Sequence, residues 1–185
     1  LVRQNADNDV KKLEKLRSTP VSKELDLLFK QGIEFIDPTD LSGAIRGRHN
    51  LYTHLETMIK RADKSITLVT TSKGLLRKVD ALKPELDKLS KKGVKIKVAA
   101  PITKESMKIA KDLAKIAEVR NSSQVGARFC IVDGNEMMFM VKDDEEVHPT
   151  YDIGIWVNTK YFANALNSMF DLAWKDMQPL DKVKI

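Results

Sequence analysis

Arg128 and Asp133 are the side chains best placed to do chemistry, because they bracket the apolar run Phe129-Cys130-Ile131-Val132, between Gly126 and Gly134. Charge buried without a partner is costly, so the two must pair, cap strand ends or line a site. A guanidinium grips a phosphate or carboxylate bidentately; alternatively Arg128 pairs with Asp133 or Asp152 and keeps a pocket neutral. Thr70, Thr71 and Ser72 stand where a β-branched run gives way to a helical pattern. Hydroxyls there cap the helix or hold a ligand, since a helix N-terminus in the crevice of an open α/β sheet favours anions. Arg46, Arg48 and His49 precede another helix and could reach the same mouth; a solvated surface or an interdomain contact is their alternative. These eight residues are the candidate ligand-binding set, for a small anionic or polar ligand.

Other reactive residue types carry less. Asp143-Asp144-Glu145-Glu146 cannot all face one ion, and Ca²⁺ loops space their ligands alternately, so the stretch reads as a solvated loop. His54 lies among polar residues and reads as surface; His148 sits beside Pro149 in that acidic loop. Cys130 is the only cysteine, which excludes an internal disulfide framework and a cysteine-rich zinc site and leaves an inert buried thiol in a reduced, cytoplasmic compartment. No metal, cofactor or catalytic residue is expected. The 185 residues carry a formal charge of +6, short of the dense Lys/Arg patches of a nucleic-acid-binding face. Most lysines neighbour acidic residues at helical spacing and read as solvated helix faces. No apolar run approaches the roughly 20 residues needed to cross a bilayer, and the chain opens on Leu1, as an excised fragment would.

The elements that position these groups follow from periodicity. The runs 129–132 and 137–141, joined by Asp133-Gly134, spell a buried antiparallel hairpin. Val10, Leu13 and Leu16 mark a helix over 9–17. Thr19-Pro20 starts another, with Leu25, Leu28 and Phe29 as its stripe and Gly32 as its stop; it is a dimer seam or a strap on the main domain. A short strand over 33–36 and a turn at 37–40 precede a helix over about 50–62 that buries Leu51, Leu55, Met58 and Ile59. A strand over 65–71 leads to a helix over 72–92 that turns Leu75, Leu76, Val79, Leu82, Leu86 and Leu89 inward, with a kink or break at Pro84. Val94, Ile96 and Val98 form the next strand, and Thr103 caps a helix reaching 116. A strand over 151–157 and a helix over 161–177, with core face Phe162, Leu166, Met169, Phe170 and Trp174, close the chain. The order β-α-β-α implies parallel strands.

That order over residues 51–177, with Lys92-Gly93-Val94-Lys95-Ile96 and the hairpin in place, resembles a half-domain of the phospholipase D superfamily. Its His-x-Lys-x4-Asp motif falls on Gly126, Arg128 and Asp133, with Asp152 near the family's acidic position before Gly154. The resemblance implies a phospholipase D/nuclease-like fold, a mixed sheet flanked by helices. The spacing survives but the nucleophile does not: glycine cannot attack phosphorus, and arginine stays cationic. The stretches around Ile45-Arg46-Gly47-Arg48-His49, Leu68-Val69-Thr70-Thr71 and Ala127–Gly134 are similar to the archaeal TrmB-like transcription regulators, whose effector domain is of this catalytically silent type. That resemblance implies a helical linker and dimerisation segment over 1–32 and an effector domain over 33–185. It further implies a homodimer, and DNA contact through a winged helix upstream of Leu1. The sugar-binding members carry a further C-terminal β-rich subdomain, for which this chain leaves no room, so sugar sensing does not carry over. The expected function is an effector-sensing, dimerising regulator domain without enzyme activity. The alternatives are a phosphodiesterase or nuclease with an altered motif, and a ligand-free structural dimerisation module.

Overall fold

The computed structural model describes residues 15, 19–30, 38–122 and 126–184, and the chain divides into two units, Leu1–Asp37 and Pro38–Ile185. In the first, helix α1 (Pro20–Lys30) starts on its expected cap: Thr19 Oγ1 accepts from the Ser22 amide at 3.3 Å, and Pro20 fits the first turn. Leu25 of the expected stripe is exposed. The helix over 9–17 (save Lys15), the stop at Gly32, the strand over 33–36 and the side chains of Leu28 and Phe29 lie outside the described residues.

The second unit runs α2 (Pro38–Leu41), β1 (Ser42–Arg46), α3 (Arg48–Lys60), β2 (Ser65–Val69), α4 (Ser72–Lys91), β3 (Lys95–Ala100), α5 (Met107–Leu113) and β4 (Glu118–Asn121). Then follow β5 (Phe129–Val132), β6 (Glu136–Met140), β7 (Ile153–Val157), α6 (Lys160–Asp176) and the two-residue β8 (Gln178–Pro179). One sheet holds all eight strands in the order β1-β7-β6-β5-β2-β3-β4-β8. β2, β3 and β4 are parallel; every other pairing is antiparallel. This is the mixed, helix-flanked sheet that the motif order predicts. The β5–β6 hairpin turns on Asp133 and Gly134, both at positive φ (54° and 66°), the geometry that matches the twist of two adjoining strands.

Alternation along the strands splits the core. Ile66, Leu68, Cys130, Val132 and Met138 pack with α3, α4 and α5 through Leu51, Leu55, Leu75, Leu82 and Leu113. Val69, Ala99 and Ile131 turn to the other face and meet α6 through Ala163, Phe170 and Trp174. Phe162 and Met169, expected in that face, are exposed, because small Ala163 makes the close approach to the sheet. Pro84 does not break the helix: α4 runs through it from Ser72 to Lys91, with Pro84 on the exposed face, where the carbonyl it cannot satisfy meets solvent. The third expected helix starts later than Thr103: Thr103 Oγ1 accepts from the Ser106 amide, Ser106 Oγ accepts from the Thr103 amide, and the helix begins at Met107.

Candidate functional site

Strand register assembles the site. Val69 of β2 lies opposite Phe129 of β5, so the next residues, Thr70 and Arg128, emerge side by side at the carboxyl end of β2. Here its neighbours change from parallel β3 to antiparallel β5, the kind of position where open α/β sheets hold ligands. The Met140 amide donates to the Arg128 carbonyl at 2.8 Å, and Met140 also faces Gly154 of β7. The Gly47 amide donates to the Asp152 carbonyl at 2.7 Å. The ends of β5, β7 and β1 therefore bring Arg128, Asp152 and Arg48 together.

Asp152 is fully buried and Arg128 is 5% exposed. Arg128 Nη1 and Nη2 donate to the two Asp152 oxygens at 3.1 and 2.7 Å, and its Nε donates to the Lys142 carbonyl at 2.9 Å. Arg48 Nε donates to Asp152 Oδ2 at 3.0 Å, while its Nη2 reaches the Asp144 and Val147 carbonyls at 3.1 and 3.3 Å. Burial alone would raise the Asp152 carboxyl, but hydrogen bonds from Arg128 and Arg48 outweigh it and hold the group below the usual carboxylate range. Asp144 is buried and pairs with Arg77 of α4; its Oδ1 has no hydrogen-bond partner among the described residues. The acidic stretch is thus a solvated loop at Asp143, Glu145 and Glu146 only. Asp144 departs from that expectation because Arg77 compensates its burial.

Beneath this cluster lies a residue that composition hid. Lys78, which the sequence did not set apart from the other lysines, is 2% exposed, and its Nζ donates to Thr70 Oγ1 at 2.8 Å. Burial, then the positive charges of Arg128 and Arg77, lower it to about 7. Its place one turn after Leu75 and one before Leu82, on the apolar stripe of α4, was the signal available. Burial pushes the Cys130 thiol up to about 12, an inert group as expected. His54 is half-buried rather than on the surface: its ring meets Trp156 edge-on at 5.5 Å, and burial lowers it below its ordinary range.

Thr70, Thr71, Ser72 and Arg128 all line one cavity of about 340 Å³, together with Gly126 and Lys142. Thr71 also caps α4, its Oγ1 accepting from the Gly74 amide at 2.8 Å, and Ser72 Oγ lies 3.1 Å from Thr103 Oγ1. Arg48 acts behind the wall through Asp152. Arg46 and His49 are exposed, Arg46 with its guanidinium 4.7 Å from the Tyr151 ring centroid. Asp133 does not join the cavity. It sits at the far end of β5, roughly 17 Å of extended chain from Arg128, and its carboxylate accepts the Asp63, Lys64 and Ser65 amides at 2.9, 2.7 and 2.8 Å. It caps the start of β2, and Arg128 pairs with Asp152 instead. Among the described residues no cluster of His, Cys, Asp and Glu could hold a metal ion, and no helix is long and apolar enough to cross a membrane.

Residues 43–178 match the family model described as the transcriptional regulator TrmB, EBD N-terminal subdomain. The chain belongs to the TrmB family. It carries the N-terminal subdomain of the effector-binding domain of a transcriptional regulator. A search of curated proteins returned no match. Among solved structures, the TrmB fold here is similar to that of TrmBL2, an archaeal chromatin protein whose structure is described as showing a novel mode of DNA binding. The TM-score is 0.61 at 19% identity, over 95% of this chain and 67% of that one. It is also similar to NucT from Helicobacter pylori (TM-score 0.59, 9% identity, 75% and 98% covered) and to the phospholipase D family member Nuc from Salmonella typhimurium (0.54, 14%, 75% and 97%). At these identities the likeness is one of fold.

Proposed function

We propose that the cavity between Thr70-Thr71-Ser72 and Arg128 is the effector site of this TrmB-family domain, taking a small anionic or polar ligand without transforming it. One observation carries the reading: four of the eight residues singled out by type and spacing converge on one cavity, while Gly126 stands on its wall where a nucleophile would be needed. The cation excess behind that wall and the start of the 20-residue helix α4 both favour negative charge. Ligand occupancy bears on Arg128 and Lys142, and from them on Asp152 and Arg48, so it can bias α3 and the elements before it. In the regulator as a homodimer in the cytoplasm, that bias would reach DNA through a domain outside this sequence. A coupling of about 1–3 kcal/mol suffices to change affinity five- to 150-fold.

Gly126 supplies the test. A Cβ placed on it meets nothing within 4 Å among the described residues, so Gly126→Phe adds an aromatic ring at the cavity wall with no packed neighbour against its Cβ. DNA affinity of the full-length regulator is expected to respond to a small-molecule extract of its host cells, and Gly126→Phe is expected to abolish the response while leaving basal DNA binding intact. DNA affinity indifferent to every fraction in the unsubstituted protein would favour a ligand-free dimerisation module.

A further inference from the structure

We propose, resting on the cavity reading above, that the ligand is an anion and that its binding loads a proton onto Lys78 through Thr70. The geometry is a relay across one hydroxyl. Thr70 lines the cavity on one side and meets Lys78 Nζ at 2.8 Å on the other. An ammonium has three hydrogens and no lone pair, whereas a neutral amine both donates and accepts. When Lys78 is charged, Thr70 must accept from it, which frees the threonine hydrogen for an acceptor in the cavity. When Lys78 is neutral, Thr70 can donate inward and present a lone pair instead. An anion accepting from Thr70 beside Arg128 therefore selects the ammonium.

The surrounding charge agrees. Lys78 makes no ion pair among the described residues; it faces the Tyr52 ring of α3 at 5.5 Å, Arg77 on its own helix, Arg128 and Cys130 from β5 and its approach, and Asp152 ahead of β7. In the connected cluster three guanidiniums, Arg48, Arg77 and Arg128, face two carboxylates, Asp144 and Asp152. The cluster is cationic before Lys78 is counted. Burial with Arg128 and Arg77 close by brings Lys78 to about 7, so a compensating anion raises it through neutral pH. The carboxylates on the cavity rim are engaged locally: Asp143 Oδ1 accepts the Glu145 amide at 2.9 Å, and Glu145 pairs with Lys73 at 3.5 Å.

Sulfate is a suitable probe because it does not titrate in this range. Lysine side chains labelled at Cε are followed by NMR across the pH range with and without millimolar sulfate, the Lys78 signal being the one missing from Lys78→Met. The expected results are a Lys78 midpoint about one pH unit higher with sulfate, and a sulfate affinity that falls about fivefold between pH 6 and 8. In Lys78→Met that pH dependence is expected to vanish. Sulfate that perturbs the Thr70, Thr71 and Ser72 amides while the Lys78 midpoint stays put would overturn the proton linkage and leave the cavity reading standing. Amides there that sulfate does not perturb at pH 6 would overturn the anion class and the linkage together, and the Gly126→Phe comparison would then judge the cavity on its own.

Discussion

Replacing Lys78 with methionine is expected to stabilise the fold, against the usual direction of a substitution at a fully packed position. In the unfolded chain a lysine titrates near 10.5, and in the fold Lys78 is brought to about 7. At about 1.4 kcal/mol per pH unit, burying this amine costs roughly 5 kcal/mol at pH 7 and below. Methionine has a similar unbranched stem and no charge, so it removes that cost. Against the gain stands the donor lost to Thr70 Oγ1, about 1–2 kcal/mol. The net gain at pH 7 is then about 3 kcal/mol. The sign of its pH dependence follows from proton counting: between about pH 7 and 10.5 the fold binds fewer protons at Lys78 than the unfolded chain, so this group's contribution to stability rises with pH. The methionine variant lacks that rise, and its advantage shrinks by about 1.4 kcal/mol per pH unit, reaching roughly nothing by pH 9. Urea unfolding of both proteins at about pH 6, 7 and 9 measures this directly. A methionine variant less stable at pH 7, or one whose advantage is the same at all three pH values, would refute the reasoning.

Further substitutions separate the site from its scaffold. Gly74→Ala should destabilise by about 1–3 kcal/mol and weaken ligand binding, although alanine is ordinarily better in a helix by about 1 kcal/mol. Its Cβ would stand 2.3 Å from Thr70 Oγ1 and 2.8 Å from Thr71 Oγ1; urea unfolding and a binding titration report the two effects. Asp133→Ala strips the acceptor from three amides at the start of β2 and should cost roughly 2–4 kcal/mol with ligand affinity unchanged. Asp152→Asn leaves Arg48 and Arg128 without their shared charge and should cost about 3–5 kcal/mol. Because pairing holds the Asp152 carboxyl below its ordinary range, its contribution is present above about pH 4 and lost as pH falls through the folded value. Acid unfolding of Asp152→Asn, compared with the unsubstituted protein, should lack that component.

What the sequence disclosed depended on how periodic each stretch was. The hairpin was legible because two apolar runs flank Asp133-Gly134, and only a paired strand buries Cys130, Ile131 and Val132 in succession. The Thr71 cap was legible because a hydroxyl preceding a 3.6-residue stripe has few other uses. β1, β4 and β8 were not: four of the five β1 side chains are exposed, β4 buries only Val119, and β8 has two residues. Nothing in such strands repeats. The roles of Arg128 and Asp133 were left open as pairing, capping or lining, and only register decides among them, since Asp152 reaches Arg128 through β7, 24 positions along the chain. Lys78 went unremarked because residue type outweighed position. A charged residue on the stripe of Leu75, Leu82, Leu86 and Leu89 carried the information that its composition concealed.

This TrmB-family domain is proposed to hold its effector in the cavity of Thr70, Thr71, Ser72 and Arg128. Native mass spectrometry of the protein and of Gly126→Phe, each incubated with the small-molecule extract of its host cells, tests it most directly. The prediction is a small-molecule mass retained by the unsubstituted protein, released on unfolding and missing from Gly126→Phe. The same mass retained at the same occupancy by both proteins would contradict the claim.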